Sequence, residues 1–160
     1  MLEKLQLLLL IIVANGTPIL LDDLLGRRWA WPLDAGRVFA DGRRLLGRSV
    51  TVRGVVVALV ATAAVAVLSG HSAGAGLLIG LMAMLGDAGS SFVKRRLGLA
   101  PGDKALGLDQ IPESLLPLLA VKGGYGLGWW DLALLVLAFV LFDILVSRIL
   151  YRLHLRKRPH

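Results

Sequence analysis

Five apolar stretches alternate with polar, arginine-rich segments along this chain. The apolar stretches cover residues 5–21, 54–68, 73–85, a weaker segment that starts near Ser114, and residues 129–146. Several are shorter than the roughly 20 residues that cross a hydrocarbon core, so we expect their helices to extend into the polar flanks or to tilt. The pattern predicts an all-α, polytopic integral membrane protein with about five transmembrane helices and cytoplasmic polar loops.

Composition favours the same class. The 160 residues are 56% hydrophobic and have a mean hydropathy of +0.73, whereas soluble domains are roughly half apolar. The chain contains no cysteine, which excludes disulfides and thiolate metal sites. The first span follows Lys4 as in a signal peptide, but no A-x-A site follows and apolar residues resume after Pro18. We therefore expect this span to be retained.

Positive charge is distributed unequally between the polar segments. Of 18 Lys and Arg residues, seven lie in 22–53, four in 87–113 and five in 148–158, with Lys4 and Lys122 as the exceptions. Five helices place the three rich segments on one side, and the positive-inside rule assigns that side to the cytoplasm. We therefore expect a multi-pass protein of the cell (inner) membrane with its N-terminus outside and its C-terminus in the cytoplasm. The net charge of +7 then reflects topology and contact with anionic lipid, and no nucleic-acid partner is expected.

Polar residues are concentrated where the third apolar stretch ends, in "GDAGSSFVKRRLG" (86–98). If the helix continues past Leu85, Asp87, Ser91 and Lys94 share one face. A carboxylate at a membrane edge is costly and is therefore a functional candidate. The same spacing is explained equally well if Asp87 only pairs with Lys94 or caps a turn.

A second carboxylate, Asp109 in "GLDQIPES", precedes the fourth span on the same side. Two carboxylates among Lys and Arg residues suit Mg²⁺ that carries phosphate groups, because Mg²⁺ is usually held by one or two carboxylates plus substrate oxygens. No Walker A loop, Rossmann fingerprint or H-E-x-x-H motif is present.

The segment 22–53 offers further candidates. Asp34, Arg37 and Asp41 would lie near one face if the segment were helical, and four further arginines could bind phosphate: Arg43, Arg44, Arg48 and Arg53. The alternative, which composition favours, is a solvated loop whose arginines only follow the positive-inside rule.

Two signals within the spans concern packing. "GLLIG" (76–80) has the G-x-x-x-G spacing that permits close helix contact. Asn15 either joins two helices or lines a pocket, and the sequence leaves both open.

Several motifs together resemble a known family. "GDAGSSFVKRRLG" followed by "LDQ" is similar to the G-D-x-x-x-S-[FL]-x-K-R…D-[RQ] signature of CTP-dependent lipid cytidylyltransferases, and most similar to the CDP-archaeol synthase branch. The branch also shares an "NG.P" motif in the first span and a "D-G-R-x-x-x-G…R-G" loop. Here these motifs are Asn15, Gly16 and Pro18, then Asp41, Gly42, Arg43, Gly47, Arg53 and Gly54. The resemblance covers about residues 10 to 120.

The resemblance implies a single transmembrane cytidylyltransferase-like domain over residues 1–160. It would transfer a cytidylyl group from CTP to a phosphorylated lipid, giving a CDP-lipid and pyrophosphate with Mg²⁺ as cofactor. By this likeness Asp87 and Asp109 are metal ligands and, with Lys94, catalytic residues. The implied substrate-binding residues are Ser91, Arg95, Asn15, Asp41, Arg43 and Arg53. The expected partners are CTP, the lipid phosphate and membrane lipids, while self-association is left open.

Two motifs differ from the family pattern. The loop usually reads K-T-W-R-G, but here it is "VTVRG", with Val50 and Val52 in place of lysine and tryptophan. The acidic motif usually reads D-[RQ]-x-D, but here Pro112 stands at its second carboxylate and Glu113 follows one place later. A non-catalytic relative with the same fold is therefore one alternative, and a small transporter whose path includes Asp143 is another.

Overall fold

The computed structural model describes residues 1–26, 28–100, 103 and 105–152, and these form five α-helices. The helices are α1 (Leu2–Leu25), α2 (Val52–Leu68), α3 (Ala73–Arg96), α4 (Gln110–Val121) and α5 (Trp129–Arg152). The predicted all-α fold with five helices is therefore confirmed for these residues, and the helices extend into the polar flanks as expected. The "RKRPH" tail, which the charge pattern assigns to the cytoplasm, lies outside the described residues, as do Arg27 and Lys104.

The ends of the helices follow from local sequence. The Thr51 side chain accepts the Gly54 N–H at the start of α2, and Ser72 accepts the Ala75 N–H at the start of α3. Such caps satisfy backbone donors that have no partner within the helix. α1 continues through "NGTP" with Pro18 inside it.

The helices differ in their ability to cross a bilayer. α1, α3 and residues 129–149 of α5 are long and apolar enough to do so. α2 has 17 residues and α4 has 12, which gives lengths of about 26 and 18 Å against a hydrocarbon core of about 30 Å. Large apolar side chains on α5 are exposed on the outside of the bundle, as lipid contact requires: Leu134, Leu137, Leu141 and Leu145.

α3 is the central helix, since it packs against α1, α2 and α4. A Cβ atom added to Gly76 would lie 2.7 Å from the Ala63 Cα and from the Thr62 carbonyl oxygen, and one added to Gly80 would lie 3.3 Å from the Leu59 Cα. The close contact predicted from "GLLIG" is therefore confirmed, between α3 and α2. The apolar core beside this contact includes Leu7, Leu10, Ile11, Ala66, Ile79 and Leu118.

The two ends of the bundle differ in character. At one end Lys4 of α1 pairs with Asp131 of α5 at 2.6 Å, and the Lys122 ammonium lies 4.7 Å from the Trp129 ring centre. The two lysines that the charge pattern set apart are thus both at the N-terminal end of α5. The described residues of the long segments 26–51 and 97–109 lie at the other end, where α1 and α3 finish.

Residues 28–51 fold as a loop, so the helical face considered for Asp34, Arg37 and Asp41 is wrong. Within this loop, isolated antiparallel bridges join Pro32 to Thr51 and Val38 to Arg44. Burial by itself would raise the pKa of Asp34, but the N–H groups of Gly47, Gly36 and Leu46 and the Arg44 guanidinium hold that pKa below its ordinary value. The Asp34 carboxylate accepts hydrogen bonds from all three N–H groups, so it organises the loop.

Candidate active site at the α3–α4 junction

α3 and α4 cross in direct backbone contact at Gly86. A Cβ atom on Gly86 would lie 2.5 Å from the Pro112 carbonyl oxygen and 2.7 Å from the Glu113 nitrogen. Real Cβ atoms do not come this close to backbone, so only glycine permits the crossing. The contact brings the polar end of α3 beside the start of α4.

α3 continues past Leu85 to Arg96, which confirms the predicted shared helix for Asp87, Ser91 and Lys94. Asp87 is half-buried, whereas Ser91 is 1% exposed and Lys94 is 8% exposed. Burial of a lysine among apolar helices is costly unless its charge is compensated. The compensation comes from the segment before α4.

Lys94 pairs with Asp109. Its ammonium lies 2.7 Å from Asp109 Oδ1 and also donates to the Asp103 carbonyl at 3.2 Å. The other oxygen of Asp109 accepts the Ala105 N–H at 3.1 Å. Among the described residues the ion pair of Lys94 is therefore with Asp109, and the simple pairing of Lys94 with Asp87 that the spacing allowed is not formed.

Two further carboxyl groups, those of Asp87 and Glu113, lie near this pair. Asp87 is within electrostatic range of Lys94 and Asp109, and Glu113 is within range of Asp87 and Asp109. The sequence signal for Glu113 was its place in "DQIPE", but a one-residue shift turns a helix by about 100°, so sequence alone could not place it here. The packing at Gly86 does so.

The donor set fits Mg²⁺ of a particular kind. Carboxylate oxygens are the ligands that Mg²⁺ prefers, and proteins seldom enclose it completely. In the part of the chain that the structure describes, no three His, Cys, Asp or Glu side chains converge as a metal cage. The arrangement thus suits an ion shared between one or two carboxylates and the phosphates of a substrate.

Arg95 is the second buried cation of the site. It is 4% exposed, and its Nε and Nη1 atoms have no hydrogen-bond partner among the described residues. Buried guanidinium nitrogens are normally satisfied, and a planar guanidinium matches phosphate geometry. Arg95 is therefore suited to receive an anion beside Lys94.

The 26–51 loop is clamped onto the end of α3 by Arg96. Its guanidinium lies 4.9 Å from the ring centres of both Phe39 and Phe92, and it pairs with Asp41 at 2.9 Å. Arg43 completes the clamp, because it donates to the carbonyls of Arg95 at 3.2 Å and Arg96 at 2.7 Å. The structure thus brings the predicted residues Asp41 and Arg43 to the Lys94 end of α3, where their described bonds hold the loop.

The other two predicted residues make different contacts. Arg53 pairs with Asp22 and donates to the Gly26 carbonyl at 3.1 Å, which joins the end of α1 to the start of α2. Asn15 is half-buried and donates to the Ile11 carbonyl of its own helix at 3.0 Å. Neither is bonded to the Lys94–Asp109 pair.

Comparison with known proteins connects this geometry to a family. The family model described as CarS-like CDP-archaeol synthase matches residues 1–75 and 71–160. The CDP-archaeol synthase of Aeropyrum pernix is 40% identical over 99% of this chain and 91% of its own length, and that of Methanopyrus kandleri is 42% identical over 80% and 79%. The chain belongs to the CDP-archaeol synthase family.

A solved structure agrees with this membership. It is that of an intramembrane enzyme for archaeal membrane lipids biosynthesis, and it matches with a TM-score of 0.74 and 34% identity over 92% of this chain and 94% of its own. The resemblance inferred from the motifs is thus confirmed, and the helical bundle is that of an integral membrane protein.

The two departures from the CDP-archaeol synthase pattern have structural roles here. Val50 is 2% exposed and its carbonyl accepts the Leu33 N–H at 2.9 Å, so this position is part of the loop interior and is unfavourable for a lysine charge. Pro112 presents its backbone to Gly86, while Glu113 lies within electrostatic range of Asp87 and Asp109.

Proposed function

We infer that this protein is a membrane-embedded, CTP-dependent cytidylyltransferase that acts on a phosphorylated lipid and forms a CDP-lipid and pyrophosphate for membrane lipid synthesis. Family membership across the whole chain carries the conclusion. It favours the enzyme over the non-catalytic relative and over the small transporter. Because the relatives are CDP-archaeol synthases, we propose an archaeol-type lipid phosphate as the substrate.

The reaction is a displacement at phosphorus. An oxygen of the lipid phosphate forms a bond to the α-phosphorus of CTP, and the bond from that phosphorus to the oxygen bridging the β-phosphate breaks. The electron pair leaves with pyrophosphate. Because the lipid phosphate is already an anion, no protein nucleophile is needed, and the work of the protein is positioning and neutralisation of charge.

Lys94, Arg95 and Ser91 are the residues we assign to the phosphate groups. Lys94 and Arg95 are buried cations on adjacent positions of α3, and buried charges act strongly because water does not screen them. In the free protein Asp109 neutralises Lys94. A bound triphosphate offers the ammonium a second anionic partner, so the cation is already in place when charge develops on the leaving pyrophosphate.

We propose that Asp87 and Asp109 are the protein ligands of Mg²⁺, which supplies charge neutralisation for the phosphates when it is bound. Glu113 is a further carboxyl group near Asp87 and Asp109. Because it stands one place after the usual second carboxylate of the motif, it is not an in-line replacement for that group.

Asp41 and Arg43 contribute to the site indirectly, by holding the 26–51 loop in place. We propose that Asp41 and Arg43 act in substrate binding because they fix the loop over the end of α3, beside Arg95. Arg53 bonds to Asp22 and Gly26, which both line a half-open cavity of about 440 Å³, and we propose that part of a substrate enters there. Asn15, about two helical turns before Asp22 on α1, would support that wall.

We further propose five membrane-crossing helices in a single domain, with the N-terminus outside and the C-terminus in the cytoplasm. The positions of Lys4 and Lys122 at the end opposite the arginine-rich loop support this orientation. α4 is about 18 Å long, which is shorter than the hydrocarbon core of about 30 Å. If its C-terminal end reaches the outer interface, Asp109 lies inside the membrane, on the hydrocarbon side of the inner head groups. A lipid phosphate would meet the site at that depth.

The test is product formation by the purified protein in lipid nanodiscs. The protein is incubated with CTP, Mg²⁺ and an archaeol-type lipid phosphate, and CDP-lipid and pyrophosphate are measured together. We expect both in equal amounts. Absence of CDP-lipid with this lipid and with phosphatidic acid would contradict the proposal and favour the non-catalytic relative.

A further inference from the structure

Asp143 is a carboxylate in the apolar span of α5. It lies within the segment 129–149 that is long and apolar enough to cross a bilayer, and it is half-buried. Ionisable groups within a membrane span are costly and usually serve a specific partner. Here the partner is the amide of Gln110, whose Nε2 donates to Asp143 Oδ2 at 2.9 Å.

The same Gln110 side chain also bonds to the segment before α4. It is buried, and its Oε1 accepts the Gly107 N–H at 2.8 Å. Because the Nε2 atom donates to Asp143, the amide is oriented with its oxygen toward Gly107. Gly107 has a φ of +84°, which L side chains rarely adopt, so this turn benefits from being held by an outside contact.

The turn ends at Asp109. Asp109 Oδ2 accepts the N–H of Ala105, which lies just before the turn, at 3.1 Å, and the N–H of Gly107 itself is bonded to Gln110. The result is one connected series of hydrogen bonds from α5 through Gln110 to the turn that carries Asp109. The described electrostatic neighbours of Asp143 include Glu113 of α4.

We propose that Asp143 is a positioning residue for the transfer reaction: through Gln110 and the Gly107 turn it holds the Asp109 carboxylate against Lys94. The proposal rests on the proposed function, because it concerns the placement of a site residue for that reaction. It assigns α5 a part in the active site although no described side chain of α5 bonds to the Lys94–Asp109 pair.

Comparison of the Asp143→Ala and Asp143→Asn variants shows whether Asp143 acts as a hydrogen-bond acceptor for Gln110 or through its negative charge. Alanine removes the acceptor for Gln110, whereas the asparagine amide oxygen still accepts its N–H. Replacing residues that orient a metal ligand from outside its coordination shell typically lowers activity about 10- to 100-fold. We expect kcat per folded protein to fall by this factor in Asp143→Ala and to return to within about threefold of wild type in Asp143→Asn. Asp131→Ala, a carboxylate on the same helix at the opposite end, is the matched control and should retain kcat.

Gln110→Ala breaks the same series from its other side. If Asp143 acts through Gln110, the Asp143→Ala/Gln110→Ala double variant should be no slower than the slower single variant. Gln110→Ala also keeps the test decisive if Asp143→Ala does not fold. With an active wild-type enzyme, the inference is overturned by unchanged kcat in Gln110→Ala, by losses that multiply in the double variant, or by an asparagine variant as slow as the alanine variant. An inactive wild-type protein would instead contradict the proposed function.

Discussion

Lys94 of α3 and Asp109, the residue before α4, form a buried ion pair with 2.7 Å between Nζ and Oδ1. The pair joins the two polar motifs of the chain across a helix crossing. Removing one partner of such a pair leaves an uncompensated buried charge. The pair therefore stabilises the junction and also places a cation and a carboxylate where phosphate chemistry needs them.

Replacement of Lys94 by alanine should reduce the rate more than it weakens lipid binding. Losing one charge-assisted contact to a developing anion costs about 3 kcal/mol, which is roughly a hundredfold in kcat. Steady-state kinetics with CTP and the lipid phosphate measure this. Lys122→Ala, at the other end of the bundle, is the control and should keep kcat. A rise in the KM for lipid without a fall in kcat would remove Lys94 from the chemical step.

Gly86 and Gly89 offer a matched pair for the helix crossing. A Cβ at Gly86 would meet the Pro112 backbone at 2.5 Å, whereas nothing lies within 4 Å of one at Gly89. Alanine is favoured over glycine in helices by roughly 0.5–1 kcal/mol, so Gly89→Ala should maintain or raise the midpoint of thermal unfolding. Gly86→Ala should lower both the midpoint and activity. Equal midpoints for the two variants would show that the close crossing is not required.

The stability of the protein should depend on Asp34 at acid pH. Hydrogen bonds and Arg44 hold the folded-state pKa of Asp34 below its ordinary value, so ionised Asp34 stabilises the folded state above the unfolded-state pKa of about 3.9. That stabilisation is lost as the pH falls from the unfolded-state pKa through the lower folded-state pKa. Thermal unfolding at pH values from about 6 down to 3 should show a steeper loss in wild type than in Asp34→Asn. Parallel profiles would contradict this role.

Membrane topology can be tested with reporter fusions. Fusions after His160 and within 97–109 should report cytoplasm, and an insertion at Gly123 should report the outside, because the charge asymmetry and the positions of Lys4 and Lys122 agree. α4 has only 12 residues and should insert poorly alone compared with α2. A cytoplasmic report from Gly123 would reduce the number of crossings.

The helices and one face of the site could be predicted from sequence because both depend on local order. Apolar runs give helices, and a helix that continues past Leu85 necessarily aligns Asp87, Ser91 and Lys94. The family resemblance supplied the activity, which neither hydropathy nor spacing contains. The roles of the 26–51 loop residues were predicted by motif alone.

The partners of these residues could not be predicted in the same way. Lys94 pairs with Asp109 because Gly86 allows α3 and α4 to be in contact. A contact between two helices cannot be recognised from the periodicity of apolar residues in a single sequence. The Asp34 carboxylate accepts backbone N–H groups from residues as distant in sequence as Gly47. These bonds depend on the closed conformation of the loop, which the sequence does not specify. Asp143 was noticed only as an intramembrane charge, while its contact with Gln110 required the packing of α5 against α4.

The central claim is that cytidylyl transfer takes place directly at the Lys94–Asp109 junction. The measurement is transfer of label from CTP carrying ³²P in its α-phosphate, comparing wild type with Asp109→Asn and Asp131→Asn in nanodiscs containing the lipid phosphate. Both variants replace one carboxylate without changing its size, but only Asp109 belongs to the junction. We predict labelled CDP-lipid and no labelled protein in wild type and Asp131→Asn, and no labelled lipid in folded Asp109→Asn. Labelled protein, or labelled CDP-lipid formed by Asp109→Asn at the wild-type rate, would contradict the account.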